Sequence, residues 1–218
     1  MDQLEKPIPR TISRVLIIFS RIGSFIFHPF FMTTIAAVIV YRLVPEKFYS
    51  YSFKEIKTLI GKLALFTILF PFIAVLLFRR SGLVSNTRMH KPGDRIFPLL
   101  ASLIFYVLAY WLFVRPFHVL VIHSLVLGSC CAVLVIFIIN NFYKVSVHTT
   151  AAAILPGICL VLMLGGRPTV VPLLMASLIA IIVGLVRWLL GAHTIGQILL
   201  GYLIGIFTQV CAYYYFQP

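Results

Sequence analysis

Three groups of polar residues interrupt an otherwise apolar chain, and their types suit one chemistry. The first is Arg88, His90, Lys91, Asp94 and Arg95. The second is Lys144-Val145-Ser146-Val147-His148. The third is Arg187, His193, Thr194 and Gln197. Guanidinium groups are permanently charged forks that match the oxygens of a phosphate. A serine hydroxyl ahead of a helix, together with the first backbone amides, adds neutral donors at a positive helix end. Imidazoles move protons near neutral pH, and a neutral imidazole is a nucleophile toward phosphorus. His193 and Gln197 are four apart, so on a helix they share a face and touch. The candidate site is therefore His148, His193 and Gln197 for chemistry, with Arg88, Lys91, Arg95, Ser146 and Arg187 for an anion. Carboxylates do not cluster, which argues against a Mg²⁺ or Ca²⁺ site, and no cofactor is expected.

The elements that position these groups follow from composition. Of 218 residues, 61% are apolar and 11% charged, against ~45–50% and ~25% in a soluble domain. Such a surface cannot be covered by polar groups, and disorder needs low hydrophobicity, so both classes are excluded. Eighteen Lys and Arg face five Asp and Glu, for a net charge of +13. On an integral membrane chain this basic excess points to anionic lipid surfaces or a phosphate-bearing substrate rather than to nucleic acid. The four cysteines, Cys130, Cys131, Cys159 and Cys211, sit in apolar runs without CxxC spacing and read as small hydrophobes. The early charges Asp2, Glu5, Lys6 and Arg10 do not resemble a cleavable signal.

A membrane-crossing helix needs ~20 apolar residues. That ruler predicts an all-α integral membrane protein, a helical bundle of six to seven transmembrane spans. The spans are 22–42, 59–78, 98–114, 119–139, 149–165, 169–189 and 195–216. Residues 1–21 form an N-terminal polar segment, with an interfacial helix at 11–21 that turns Arg10, Arg14 and Arg21 to water. Residues 22–218 form one transmembrane domain carrying the polar groups within 88–197. Pro29, Pro71, Pro156 and Pro172 fall inside spans and are expected to kink them. His28, His118 and His123 read as packed structural histidines, Arg42, Lys57, Arg79 and Arg80 as snorkelling span ends, and Tyr213–Phe216 as an interfacial belt. Two crossings separate the first group from the second, and two more separate the second from the third. All three are therefore expected at one membrane face.

The order and spacing of these residues resemble the type 2 phosphatidic acid phosphatase family, which includes lipid phosphate phosphatases and is related to vanadium haloperoxidases. The family pattern is Lys, six residues, Arg-Pro; then Pro-Ser-Gly-His; then Ser-Arg, five residues, His, three residues, Asp. This chain has Arg88, six residues, Arg95; then Val145-Ser146-Val147-His148; then Val186-Arg187, five residues, His193, three residues, Gln197. The resemblance covers residues 79–215. It implies that Arg88, Arg95, Ser146 and Arg187 bind phosphate, with Lys91 as an alternative ligand. It implies His193 as the nucleophile of a phosphohistidine intermediate and His148 as the acid toward the leaving group. It also implies metal-independent hydrolysis of a lipid phosphomonoester or diphosphate, such as phosphatidic acid, phosphatidylglycerol phosphate or an isoprenoid diphosphate. The expected location is a bacterial inner membrane, with the site on the periplasmic or extracytoplasmic face. The main departure is Gln197, which stands where the family has Asp, and Val147 replaces its Gly. That departure gives an alternative, a catalytically weakened lipid-phosphate-binding or transport protein of the same fold. A further alternative makes His148 and His193 axial ligands in a bis-histidine haem or quinone protein.

Overall fold

The computed structural model describes residues 14–84 and 92–216. Its long helices are α1 (Arg14–Ile26), α2 (Pro29–Leu43), α3 (Phe53–Arg80), α4 (Gly93–Val114), α5 (Leu120–Ile139), α6 (Val147–Leu164), α7 (Val170–Leu189) and α8 (Ile195–Phe216). No strand occurs among the described residues. Helices α3 to α8 are each long and apolar enough to cross a membrane, and α1 with α2 makes a seventh span if a 56° bend is allowed within it. The chain is thus an all-helical bundle with the span number the hydropathy implies.

The first span, expected at 22–42 with a kink at Pro29, is bent by 56° there. It breaks at Phe27-His28, because a residue before proline is pushed out of the helical region. His28 sits at φ −65°, ψ 140°, and Pro29 opens α2. The His28 Nδ1 accepts from the Phe30 amide (3.4 Å), so the imidazole itself caps the new helix. Pro29 thus sits at the bend expected of it, as the first residue of α2, whereas Pro172 lies in the first turn of α7, where a missing N–H costs little, and does not kink a helix interior. Pro71 does lie inside α3. Immediately before it, residues Leu65–Leu69 widen to π-helix, and the Phe70 amide reaches back to the Leu65 carbonyl. That extra residue absorbs the clash a proline ring makes with the preceding turn. The expected interfacial helix at 11–21 instead runs on to Ile26 and packs along α7. Arg21 is exposed as anticipated, while Arg10 and the Arg14 side chain lie outside the described part.

Helix α6 is the axis of the bundle. Its apolar window is 72% buried, against at most 44% in any other span, and α2, α5, α7 and α8 surround it. The closest approach is with α8. A Cβ at Gly205 would lie 2.3 Å from the Thr150 carbonyl oxygen and 2.7 Å from Ala153 Cβ, and one at Gly201 would lie 2.3 Å from Thr149 Oγ1. Only glycines four apart let the two backbones meet so closely, as small-residue seams do between membrane helices. Polar ties reinforce the contact. Thr149 Oγ1 donates to the Ile198 carbonyl (3.2 Å), and the Ser146 amide donates to the Gln197 carbonyl (3.3 Å). Deeper in the bundle, Thr33 bonds both Tyr106 (2.8 Å) and Ser129 (3.2 Å), so these buried hydroxyls partner one another away from lipid. The outward faces are apolar, as with Leu174, Met175 and Leu178 of α7. The aromatic tail divides: Tyr214 and Tyr215 are exposed, whereas Tyr213 is buried and belongs to the core.

Candidate functional site

The seam between α6 and α8 brings two polar groups of the sequence to one end of the bundle. Gly191, at φ 65°, turns the chain from α7 toward α8 in a conformation that favours glycine. Thr194 then starts the helix. Its Oγ1 accepts from the Gln197 amide (3.4 Å), and the Gln197 side-chain carbonyl accepts from the Thr194 amide (3.3 Å). This is a capping box, Thr-x-x-Gln, and it holds the glutamine at one angle. The same Gln197 Oε1 lies 2.9 Å from His193 Nδ1. A carbonyl can only accept, so Nδ1 carries the proton and His193 Nε2 keeps a free lone pair. Burial and then the Arg187 guanidinium push His193 down to about 3, against its ordinary 6.5, with Lys144 and Arg95 adding to the effect and the Gln197 hydrogen bond opposing it. At neutral pH this imidazole is uncharged.

The other residues arrive from four elements. Ser146 caps α6: its buried hydroxyl accepts from the Thr149 amide (3.4 Å). His148 is the second residue of that helix. Its ring lies beside the Ser24 backbone and in the electrostatic field of Arg187, His28 and His193. Arg95, buried in the turn that opens α4, donates to Asn140 Oδ1 and to the Val145 carbonyl, each at 3.4 Å. That arm links the first polar group to the second. Arg187, in the last turn of α7, donates to Ser24 Oγ (3.3 Å). The structure therefore brings together Arg95, Ser146, His148, Arg187, His193 and Gln197, with Lys144 beside them. Arg88 and Lys91 lie outside the described residues.

Two site neighbours were not expected. His28 was set among the structural histidines, yet its ring meets His148 edge to face, centroids 5.4 Å apart and planes at 78°. Ser24 of α1 touches both Arg187 and His148. The parity of crossings gives a signal for His28, since the start of the first span lies at the same face as the three polar groups. His123 behaves as expected, bonded to Tyr110 (3.3 Å) and to the Phe117 carbonyl. His118 does not: it is exposed, and only its backbone amide is engaged, by Tyr51. Among the described residues no set of three His, Cys, Asp or Glu could hold a metal ion. What the arrangement offers is a neutral, oriented imidazole nitrogen, a second imidazole, and guanidinium and ammonium charge around them.

Compared with family models, with curated proteins and with solved structures, the chain shows no match.

Proposed function

We propose that the protein is a membrane-embedded, metal-independent phosphatase acting on a lipid phosphomonoester or diphosphate, a divergent relative of the type 2 phosphatidic acid phosphatases. One observation carries this reading: His193 is neutral, with Nδ1–H held by Gln197 and Nε2 available, among the charges of Arg187, Lys144 and Arg95. In the reaction, His193 Nε2 attacks phosphorus and the bond from phosphorus to the leaving oxygen breaks. His148, entering the step as its imidazolium, hands that oxygen a proton and is left neutral. Water, giving its proton back to His148, then attacks the phosphohistidine; the P–N bond breaks and inorganic phosphate leaves. Arg95, Arg187 and Ser146 hold the phosphoryl oxygens, joined by Arg88 or Lys91 from the preceding loop. The lipid is phosphatidic acid, phosphatidylglycerol phosphate or an isoprenoid diphosphate. The membrane is a bacterial inner membrane with the site on its periplasmic face. Purified protein in detergent should release phosphate from such a lipid in the presence of chelator. His193→Ala should abolish release, and unchanged turnover in that variant would reject the mechanism.

A second reading is favoured by Gln197 itself. Phosphorylated His193 bears positive charge, and an amide carbonyl supplies a dipole where a carboxylate supplies a full charge. The comparable Asp-to-Asn change in a serine protease triad costs ~10⁴-fold. A chain so weakened would bind or move lipid phosphates without hydrolysing them. Gln197→Asp separates the two. Strong gain from a silent parent supports binding or transport, and ordinary turnover by the parent eliminates it.

A further inference from the structure

The phosphatase-like motifs begin at residue 88, and none of them accounts for the turn at 24–28. That turn is built tightly. His28 caps α2 through Nδ1, which fixes its tautomer with the proton on Nε2. Its ring makes edge-to-face contacts with Phe30 (centroids 4.6 Å), Phe31 (6.2 Å) and His148 (5.4 Å). His148, in the first turn of α6, comes up beside the Ser24 backbone of this turn. The His28 ring meets it edge to face and so bears on where its nitrogens point.

We propose that His28 is a positioning residue for His148: a capped, rigid ring that sets the angle at which His148 faces the site. Histidine alone does both jobs. Phenylalanine keeps an aromatic wedge and loses the cap. Asparagine keeps a strong cap and loses the wedge. The orientation rests on the geometry of the turn, and its effect on turnover rests on the phosphatase reading. Among the described residues, the charged and titratable groups around this pair are Arg187 and His193.

The two substitutions give a crossed test in the full-length protein. His28→Asn should keep the melting temperature near the parent and lower kcat about tenfold, with KM changed less than about twofold, since an ångström of misplacement costs up to ~10²-fold. His28→Phe should melt lower yet keep kcat within about twofold of the parent. Ring ¹⁵N resonances of His148, assigned by difference against His148→Gln, should shift in His28→Asn and stay in place in His28→Phe. A kcat that follows melting temperature, with His28→Phe the slower enzyme, overturns the proposal. So do His148 resonances unmoved in His28→Asn. If the parent releases no phosphate from any lipid, the phosphatase reading fails, and the resonances still decide whether His28 positions His148.

Discussion

Replacing Gly205 by alanine tests the seam on which the site depends. The added Cβ would stand 2.3 Å from the Thr150 carbonyl oxygen and 2.7 Å from Ala153 Cβ. Ordinary contacts need about 3.4 Å or more, and the nearest obstacle is backbone, so α6 and α8 must separate by about an ångström. Overpacking of this kind costs ~1–3 kcal/mol, and a main-chain obstacle places it near the top of that range. Alanine for glycine inside a helix returns up to ~1 kcal/mol through backbone entropy and propensity. The net loss expected is ~2 kcal/mol. Gly61 supplies the control: it lies within α3, and a Cβ there meets nothing within 4 Å. Gly61→Ala should therefore gain ~1 kcal/mol, and the two variants should differ by ~3 kcal/mol. Reversible unfolding in mixed detergent micelles, read by circular dichroism, measures both. Equal stabilities for the two variants would refute the close approach of α6 and α8, and with it the packing that brings His148 and His193 together.

Three more outcomes follow from particular side chains. His193 is held at about 3 in the folded protein and titrates near 6.5 when unfolded. The unfolded chain therefore binds the extra proton between those values, so stability is full above about pH 6.5 and falls as pH drops toward 3, by ~1.4 kcal/mol per pH unit from this group. Unfolding measured against pH should show a shallower slope in His193→Gln. Gln209 is fully buried, its Nε2 donating to the Leu125 carbonyl (3.4 Å) and its Oε1 without a hydrogen-bond partner among the described residues. Gln209→Met should cost less than ~1 kcal/mol, or stabilise, because it removes an unsatisfied acceptor while keeping volume; a loss above ~3 kcal/mol in the same micelle assay would mean the amide is fully paired. Ser52 caps α3 in a capping box with Glu55, and Ser52→Ala should lower stability by ~1 kcal/mol on thermal melting.

The legible part of the fold was the part governed by hydrocarbon thickness. Helices α4 to α8 carry long apolar runs, closed in α4 by Arg115-Pro116 and in α6 by Gly165-Gly166, and their ends agree with the sequence to within a few residues, apart from the polar first turn of α4. The same turn-length discrepancy recurs in α3, which begins at Phe53 because Lys54, Glu55 and Lys57 form an amphipathic extension that a hydropathy ruler discards. Its capping pair, Ser52 and Glu55, was nevertheless written in the chain. The break at His28-Pro29 was likewise readable from the restriction proline places on its predecessor. At the site, crossing parity was enough to predict that the second and third polar groups share a face, since it needs only the number of spans. It could not reveal that Ser24 would reach Arg187 across 163 residues, because the lateral order of helices is a matter of packing and not of hydropathy. Nor did spacing alone show that Gln197 would serve a helix start and an imidazole together.

Helix α2 has only 15 residues, or about 22 Å at 1.5 Å per residue. Hydrocarbon is about 30 Å deep. Upright, α2 would fall about 8 Å short of that depth, so the crossing needs the stretch Ile18–Ile26 beyond the 56° bend to complete it. The His28 imidazole therefore stands at the joint between the two pieces, within the crossing rather than at its end.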